Sequence, residues 1–400
     1  MTYNSLHKRR MNLVNSIKIP SRIYSGKGSM ESIKDIIKKE QARSVILFAD
    51  QAILSQNLLD RTIAIMEELQ IVYEVISDIK PEPSYEDIET VLNRIQLKRA
   101  DLLLAVGGGS VLDCAKICSV LINADYNIQD ILLDSSLAKK QLKTVLVPST
   151  CGTGSEATIN AIVLKPEEDL KVGIVTEEFL CDYVILDSDM IKSLPRSIIA
   201  ATGIDALCHA VECYTSNKAN VFSNFYAIES AKLIIQNIKN TYNNPEDEDA
   251  KMNLLIAAFY AGVAINGSGT TAVHALSYPL GGKYHIPHGI SNAILLVNVL
   301  EFNLPYCYKE MAQLYDAIDP WQQSLKDDEK ARKLLDIMKE IVTAVEIPTD
   351  LSAYSITKDD IEYLVEAASK VTRLLNNNCI ELKKEDIRSI YVKLIKGCDE

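Results

Sequence analysis

Histidine is scarce in this chain, with five in 400 residues, and tryptophan occurs once. Basic charge is also in deficit. Forty-two Lys and Arg stand against 54 Asp and Glu, a net charge of −12 with a pI near 5.1, and the basic residues are scattered. Nucleic acid and membrane surfaces therefore have no electrostatic claim on it as partners. No apolar run approaches the roughly 20 residues that span a bilayer. The polar start from Met1 to Arg10 lacks the apolar core of a signal peptide. Nine cysteines, an odd number at irregular spacing, describe reduced thiols in a cytosol rather than a disulfide framework. Internal repeats and low-complexity tracts are absent. What remains is a cytoplasmic protein whose partners are small molecules or copies of itself, and 400 residues at 48% hydrophobic suffice for two cored domains.

The few histidines are concentrated. Four of the five lie between His209 and His288. Asp205 and His209 are four apart, so on a helix they share one face and grip one ion from the same side. The stretch from Arg196 to Tyr214 supports that helix: it follows Pro195, is rich in Ala and Leu, and contains no proline. Val273 to Tyr278, which carries His274, also reads as helical. Ile286-Pro-His288-Gly289 reads as a turn because Pro287 and Gly289 flank the histidine. Taken singly, each of these residues serves equally well on a helix face or in a turn. Together Asp205, His209, His274 and His288 read as one metal site. A carboxylate with three imidazoles suits Fe²⁺ or, as the alternative, Zn²⁺, because the set is neither thiolate-rich nor all oxygen. Cys208 and Cys213 are read as packing thiols.

The first half alternates strand and helix signals. Ser44–Asp50, Ile71–Ile76 and Asp101–Val106 are short apolar runs, and Leu54–Leu69 and Tyr85–Lys98 between them read as helices. This is the doubly wound pattern of a parallel sheet. The third run enters Gly107-Gly108-Gly109-Ser110-Val-Leu-Asp113-Cys-Ala-Lys116, where glycines let backbone N–H groups approach a phosphate at a helix N-terminus. A tight structural turn is the competing reading, since the spacing is neither GxGxxG nor a Walker loop. A second small-residue loop, Pro148 to Thr158, follows the apolar run Thr144-Val-Leu-Val and strengthens the nucleotide reading. Asp50, at a strand end, serves either to hold ribose hydroxyls and repel the extra phosphate of NADP or to cap a helix.

At this point the motifs resemble those of the iron-containing alcohol dehydrogenases, the metal-dependent branch of the dehydroquinate-synthase-like fold, over nearly the whole chain. The resemblance rests on Gly107-Gly-Gly-Ser-x-x-Asp-x-Ala-Lys116, Pro148-Ser-Thr-x-Gly-Thr-Gly-Ser-Glu156, Leu194-Pro with Ala201-Thr-Gly-x-Asp-Ala-Leu-x-His-Ala-x-Glu212, His274-Ala-Leu-x-x-Pro-Leu-Gly281, Ile286-Pro-His-Gly289 with Asn292-Ala, and Leu375-Asn-Asn-Asn. It implies a Rossmann-like α/β dinucleotide-binding domain over residues 21–193, an all-helical metal-binding domain over 194–400, and an active site in the cleft between them. It further implies Asp205, His209, His274 and His288 as metal ligands. Asp50, Gly108, Gly109, Ser110, Asp113, Ser149, Thr150, Thr153, Thr158 and Lys171 then fall at positions that contact NAD(H). The complete ligand set argues against dehydroquinate synthases and glycerol dehydrogenases of the same fold.

The activity implied is hydride transfer between NAD(H) and a small primary alcohol or aldehyde, with a divalent ion lowering the alcohol's pKa or polarising the carbonyl. A diol or hydroxy acid is the alternative substrate within the family. Outside it stand a dehydroquinate-synthase-type lyase and a non-enzymatic nucleotide sensor. Many members carry a further histidine four residues after the third ligand, where this chain has Tyr278, a group that titrates near pH 10 and relays protons poorly at neutral pH. His285 is the candidate substitute as proton relay. Glu82 stands where many members have Asn beside the cofactor. Residues 1–20 precede the family's usual start, and Leu6, Leu13, Val14 and Ile17 form either a weak amphipathic stripe for docking or part of a free tail. A homodimer or higher homo-oligomer is the expected assembly.

Overall fold

A computed structural model describes residues 14–168 and 170–395. Six strands, β1 (Arg22–Ser25), β2 (Ser44–Ala49), β3 (Val72–Ile76), β4 (Leu102–Gly107), β5 (Lys143–Pro148) and β8 (Tyr183–Leu186), form one sheet in the order β1-β8-β5-β4-β2-β3. Every pairing in it is parallel. The apolar composition follows from that arrangement: helices cover both faces, so all six residues of β4 are buried and the strand reads as continuously hydrophobic rather than alternating. The helices of this half are α1 (Ser32–Glu40), α2 (Gln51–Ser55), α3 (Asp60–Glu68), α4 (Tyr85–Ile95), α5 (Gly109–Leu121) and α6 (Ile128–Leu133). β6 (Asn160–Lys165) and β7 (Leu170–Val175) make a separate antiparallel hairpin.

The chain leaving β2 turns to β3 on one side, whereas the chain leaving β4 turns to β5 on the other. The carboxyl ends of β2 and β4 therefore flank the crevice where an open α/β sheet binds its ligand. Asp50 and Gly107–Gly109 lie at those two ends.

Among the described residues no strand follows Leu186. The remainder is helical: α7 (Arg196–Thr215), α8 (Val221–Asn243), α9 (Glu248–Ser268), α10 (Ala272–Tyr284), α11 (His288–Ile318), α12 (Asp327–Ala344), α13 (Ile361–Ser369), α14 (Thr372–Leu375) and α15 (Lys384–Lys393). From Ile199 to Thr215 helix α7 is buried almost without interruption, which its apolar surface on all sides requires. Helix α11 is apolar and long enough to span a bilayer, contrary to the sequence reading, but 61% of its most apolar window is buried inside the molecule, as in a core helix.

Three sequence expectations are corrected. The single helix expected over Leu54–Leu69 is two, α2 and α3, because Asn57 adopts a left-handed conformation (φ 57°) and turns the chain so that Leu59 is buried. His288 is not in the middle of a turn but is the first residue of α11, with Pro287 as its N-cap. Among the described residues, the apolar stripe near the N-terminus is not a shared face. Leu6 and Leu13 lie outside the described residues, Val14 is fully exposed, and Ile17 packs against the core of the sheet domain within a non-helical segment.

Candidate metal centre and cofactor crevice

Helix α7 carries Asp205 and His209 on one face, and α10 and α11 bring His274 and His288 against it. One potential ligand atom from each of the four lies within 4.8 Å of all the others. Asp205 Oδ1 stands 4.0 Å from His209 Nε2, 3.6 Å from His274 Nε2 and 3.8 Å from His288 Nε2. These separations exceed hydrogen-bond length. They are close to the spacing of about 3–3.5 Å between ligand atoms that each sit about 2.1 Å from a shared ion. Asp205 is 2% exposed, His209 6% and His274 3%, so the acceptors converge in a dry place.

Electrostatics point the same way. Burial opposes ionisation of Asp205, but the three imidazoles around it reverse the effect and hold its carboxyl well below the usual range. Burial pushes His209 down to about 4 and His288 down to about 3, against the pull of Asp205, so both offer free lone pairs. For His274, burial is outweighed by Glu212 and Asp205, which raise it to about 9. A cation at the convergence point would satisfy what now depends on one amide: Asn292 Nδ2 stands 2.6 Å from Asp205 Oδ1, 3.1 Å from His274 Nε2 and 3.2 Å from His288 Nε2. The chemistry of the donor set and its geometry fit a borderline divalent ion.

Glu212 supports this cluster, a role the sequence reading missed. It lies three residues after His209 and seven after Asp205, on the same helical face, and that spacing was the available signal. Its Oε2 engages His274 Nδ1. Its Oε1 accepts from Thr271 N at 3.1 Å, Thr271 Oγ1 at 2.8 Å and Val273 N at 2.7 Å. One carboxylate thus caps the start of α10 and fixes the His274 ring with Nε2 towards the other ligand atoms. Cys208 and Cys213 are fully buried and stand outside the ligand group, as packing thiols do.

The wall facing this cluster is built from the two small-residue loops and the β6–β7 hairpin. Gly109, Ser110, Asp113, Thr153, Thr158 and Lys171 line the same cavity as Asp205, His209, His274, Tyr278 and His288. The cavity encloses about 1010 Å³ including its open mouth. Glycine is required at the contact of the loops, because a Cβ on Gly109 would stand 2.8 Å from Thr153 Cγ2. Gly154 (φ 58°) seats the second loop on α9, where a Cβ would meet Ala258 O at 2.5 Å. Lys116, fully buried, ties the loops together: its Nζ donates to Ser155 O at 2.8 Å and Thr158 Oγ1 at 3.0 Å and pairs with Asp113 at 3.0 Å.

Gly108, Ser149, Thr150 and Asp50 lie outside the cavity lining, nearer the strand ends. Gly108 is the N-cap of α5, and Ser149 N donates to Gly107 O at 2.9 Å. Asp50 realises the capping reading, accepting from Ile53 N at 2.8 Å at the start of α2. Glu82 adopts a left-handed backbone (φ 51°), a conformation Asn tolerates better, and pairs with Lys171 at 2.5 Å. Tyr278 is 6% exposed and its ring centroid lies 6.4 Å from that of His288. His285 is not brought to the site. It is exposed at the left-handed C-cap of α10 and absent from the cavity lining.

Comparison with known proteins agrees with this geometry. Residues 20–188 match the family model for iron-containing alcohol dehydrogenase, and residues 199–395 match that for the C-terminal part of the Fe-containing alcohol dehydrogenase family. Long-chain-alcohol dehydrogenase 1 of Geobacillus thermodenitrificans is 33% identical over 386 residues, covering 95% of this chain and 97% of that protein. The 4-hydroxybutyrate dehydrogenase of Clostridium kluyveri is 32% identical over 316 residues, covering 78% and 84%. The crystal structure of sulfoacetaldehyde reductase from Bifidobacterium kashiwanohense in complex with NAD⁺ superposes with a TM-score of 0.87 at 25% identity, covering 96% and 100%. The chain belongs to the iron-containing alcohol dehydrogenase family. It is an oxidoreductase with that family's two-part architecture, a parallel α/β sheet followed by helices.

Proposed function

We propose that this chain is an NAD(H)-dependent dehydrogenase that interconverts small alcohols and aldehydes, with Asp205, His209, His274 and His288 holding Fe²⁺, or Zn²⁺ as the alternative. The observation that carries the reading is the convergence of those four ligand atoms within 4.8 Å on the cavity wall that faces the glycine loops. A divalent cation held there supplies Lewis acidity, which eases loss of the alcohol proton and polarises an aldehyde carbonyl.

The chain's own residues do the rest. Gly108, Gly109 and Ser110 open a backbone approach to the cofactor's diphosphate at the start of α5, and Ser149, Thr150, Thr153 and Thr158 offer hydroxyls along the crevice. Asp50 keeps one carboxylate oxygen for its helix cap and has the other for ribose hydroxyls, its charge disfavouring a 2′-phosphate. Asp113 and Lys171 border the nicotinamide end, each already neutralised by a partner. Burial raises Tyr278 above the ordinary phenol value, so at neutral pH its hydroxyl stays protonated and donates to a substrate oxygen. The cleft lies between an α/β domain over 21–193 and a helical domain over 194–400. A cytoplasmic homodimer completes the reading, and the net charge of −12 supports action without nucleic acid or an anionic membrane surface.

The test is aldehyde-dependent NADH oxidation by protein stripped of metal and refilled anaerobically with Fe²⁺ or Zn²⁺, beside His274→Ala. Turnover should return with metal and disappear in the variant. Binding of metal and NADH without reduction of any aldehyde would favour the lyase or sensor reading.

A further inference from the structure

The cavity's charged groups are matched with one exception. Glu82 pairs with Lys171 at 2.5 Å, Asp113 with Lys116 at 3.0 Å, and Asp205 sits among three imidazoles. Arg373, on α14, also lines the cavity, and among the described residues no carboxylate forms an ion pair with it. Helix α14 packs on α10, which carries His274 and Tyr278, so Arg373 belongs to the metal side of the cleft rather than to the glycine loops.

The structure makes room for that guanidinium. A Cβ on Gly173 of β7 would stand 2.7 Å from Arg373 Nη2 and 3.2 Å from Ile162 Cδ1 of the paired strand. The hairpin contributes Ile162, Val163 and Leu164 to the same lining, an apolar wall for methylene groups. A cation, an apolar wall and a carbonyl-polarising site on one cavity describe a ligand with an anionic tail. An arginine fork matches a planar carboxylate in particular.

We propose that Arg373 selects substrates whose far end carries an anion, an ω-carboxylated or sulfonated small aldehyde and the corresponding alcohol. This rests on the dehydrogenase reading above and names its substrate class. Because Arg373 is exposed at the cavity rim, water screens part of its attraction. The effect expected is therefore at the low end of a charge-assisted contact, on the order of tenfold in kcat/KM.

The experiment compares kcat/KM for 4-oxobutanoate with that for uncharged pentanal, in the metal-loaded wild type, Arg373→Gln and Arg373→Lys. The wild type should favour the carboxylated aldehyde. Arg373→Gln should lower the ratio about tenfold through KM rather than kcat, and Arg373→Lys should keep part of it, since a point charge survives without the fork. A ratio near one in the wild type, or one unchanged in Arg373→Gln, overturns the proposal. So does a rise in KM for NADH alone in Arg373→Gln, which gives the guanidinium to the cofactor's phosphates. Turnover of neither aldehyde sinks the dehydrogenase reading itself, a result distinct from turnover without preference.

Discussion

Replacing Glu212 by Gln keeps the volume of a side chain that is 1% exposed and removes only its charge and one acceptor. The amide oxygen can retain Thr271 and Val273, now bound at 2.8 Å and 2.7 Å. Its –NH₂ then faces His274 Nδ1, where two donors oppose each other. The imidazole must give up that hydrogen bond, and with it the contact that aims Nε2 at the other ligands. Two charge-assisted bonds becoming neutral cost about 1 kcal/mol each, and the lost partner of His274 about as much again, so metal-free protein should lose about 2–4 kcal/mol. Loss of a carboxylate that orients a metal-binding histidine lowers metal affinity about 10- to 100-fold. Chelator competition measures the second quantity and urea unfolding of the stripped protein the first. Metal affinity within twofold of wild type, with stability reduced, would refute the reasoning and leave Glu212 as a helix cap alone.

Two further predictions rest on buried or capping acids. Glu156 is 1% exposed with neither carboxylate oxygen hydrogen-bonded, and burial raises it to about 7 from an ordinary 4.5. The folded state therefore holds a proton that the unfolded chain has released. Stability should fall as pH rises from about 4.5 to 7, by about 3 kcal/mol from this group. Subtracting the urea stability of Glu156→Gln from that of wild type at pH 5 and pH 8 isolates the effect, and equal differences at the two pH values would contradict it. Asp50→Ser preserves an N-cap acceptor for Ile53 N but removes the charge. Steady-state kinetics should show the NADPH-to-NADH preference rising on the order of tenfold, about 1.4 kcal/mol of relieved repulsion, at unchanged thermal stability. An unaltered ratio would limit Asp50 to its cap.

Much of the site was legible because its chemistry is written at helical spacing and at strand ends. Asp205 and His209 share a face by period alone, and Gly107–Gly109 sits after β4 because a parallel strand buried on both faces reads as an unbroken apolar run. Local signals also settled the start of α7 at Pro195. Their reach ended where two readings had the same local signature. Asp50 has the sequence of a cap and of a ribose ligand alike, and only the bond to Ile53 N shows the first in place.

By itself the sequence determined residue types and periodicity, and with them a parallel α/β sheet and four candidate ligands for one ion, while the helical second half was implied by resemblance to a family. Tertiary structure alone decided which distant side chains meet. His285, three residues from a ligand, lies exposed because the chain turns left-handed at the end of α10. Arg373, far along the chain from the four ligand residues, enters the cleft because α14 packs near α10 opposite Gly173. Proximity along a chain is set by covalent bonds, whereas proximity across it is set by which apolar faces bury one another, and no single window of residues contains that information.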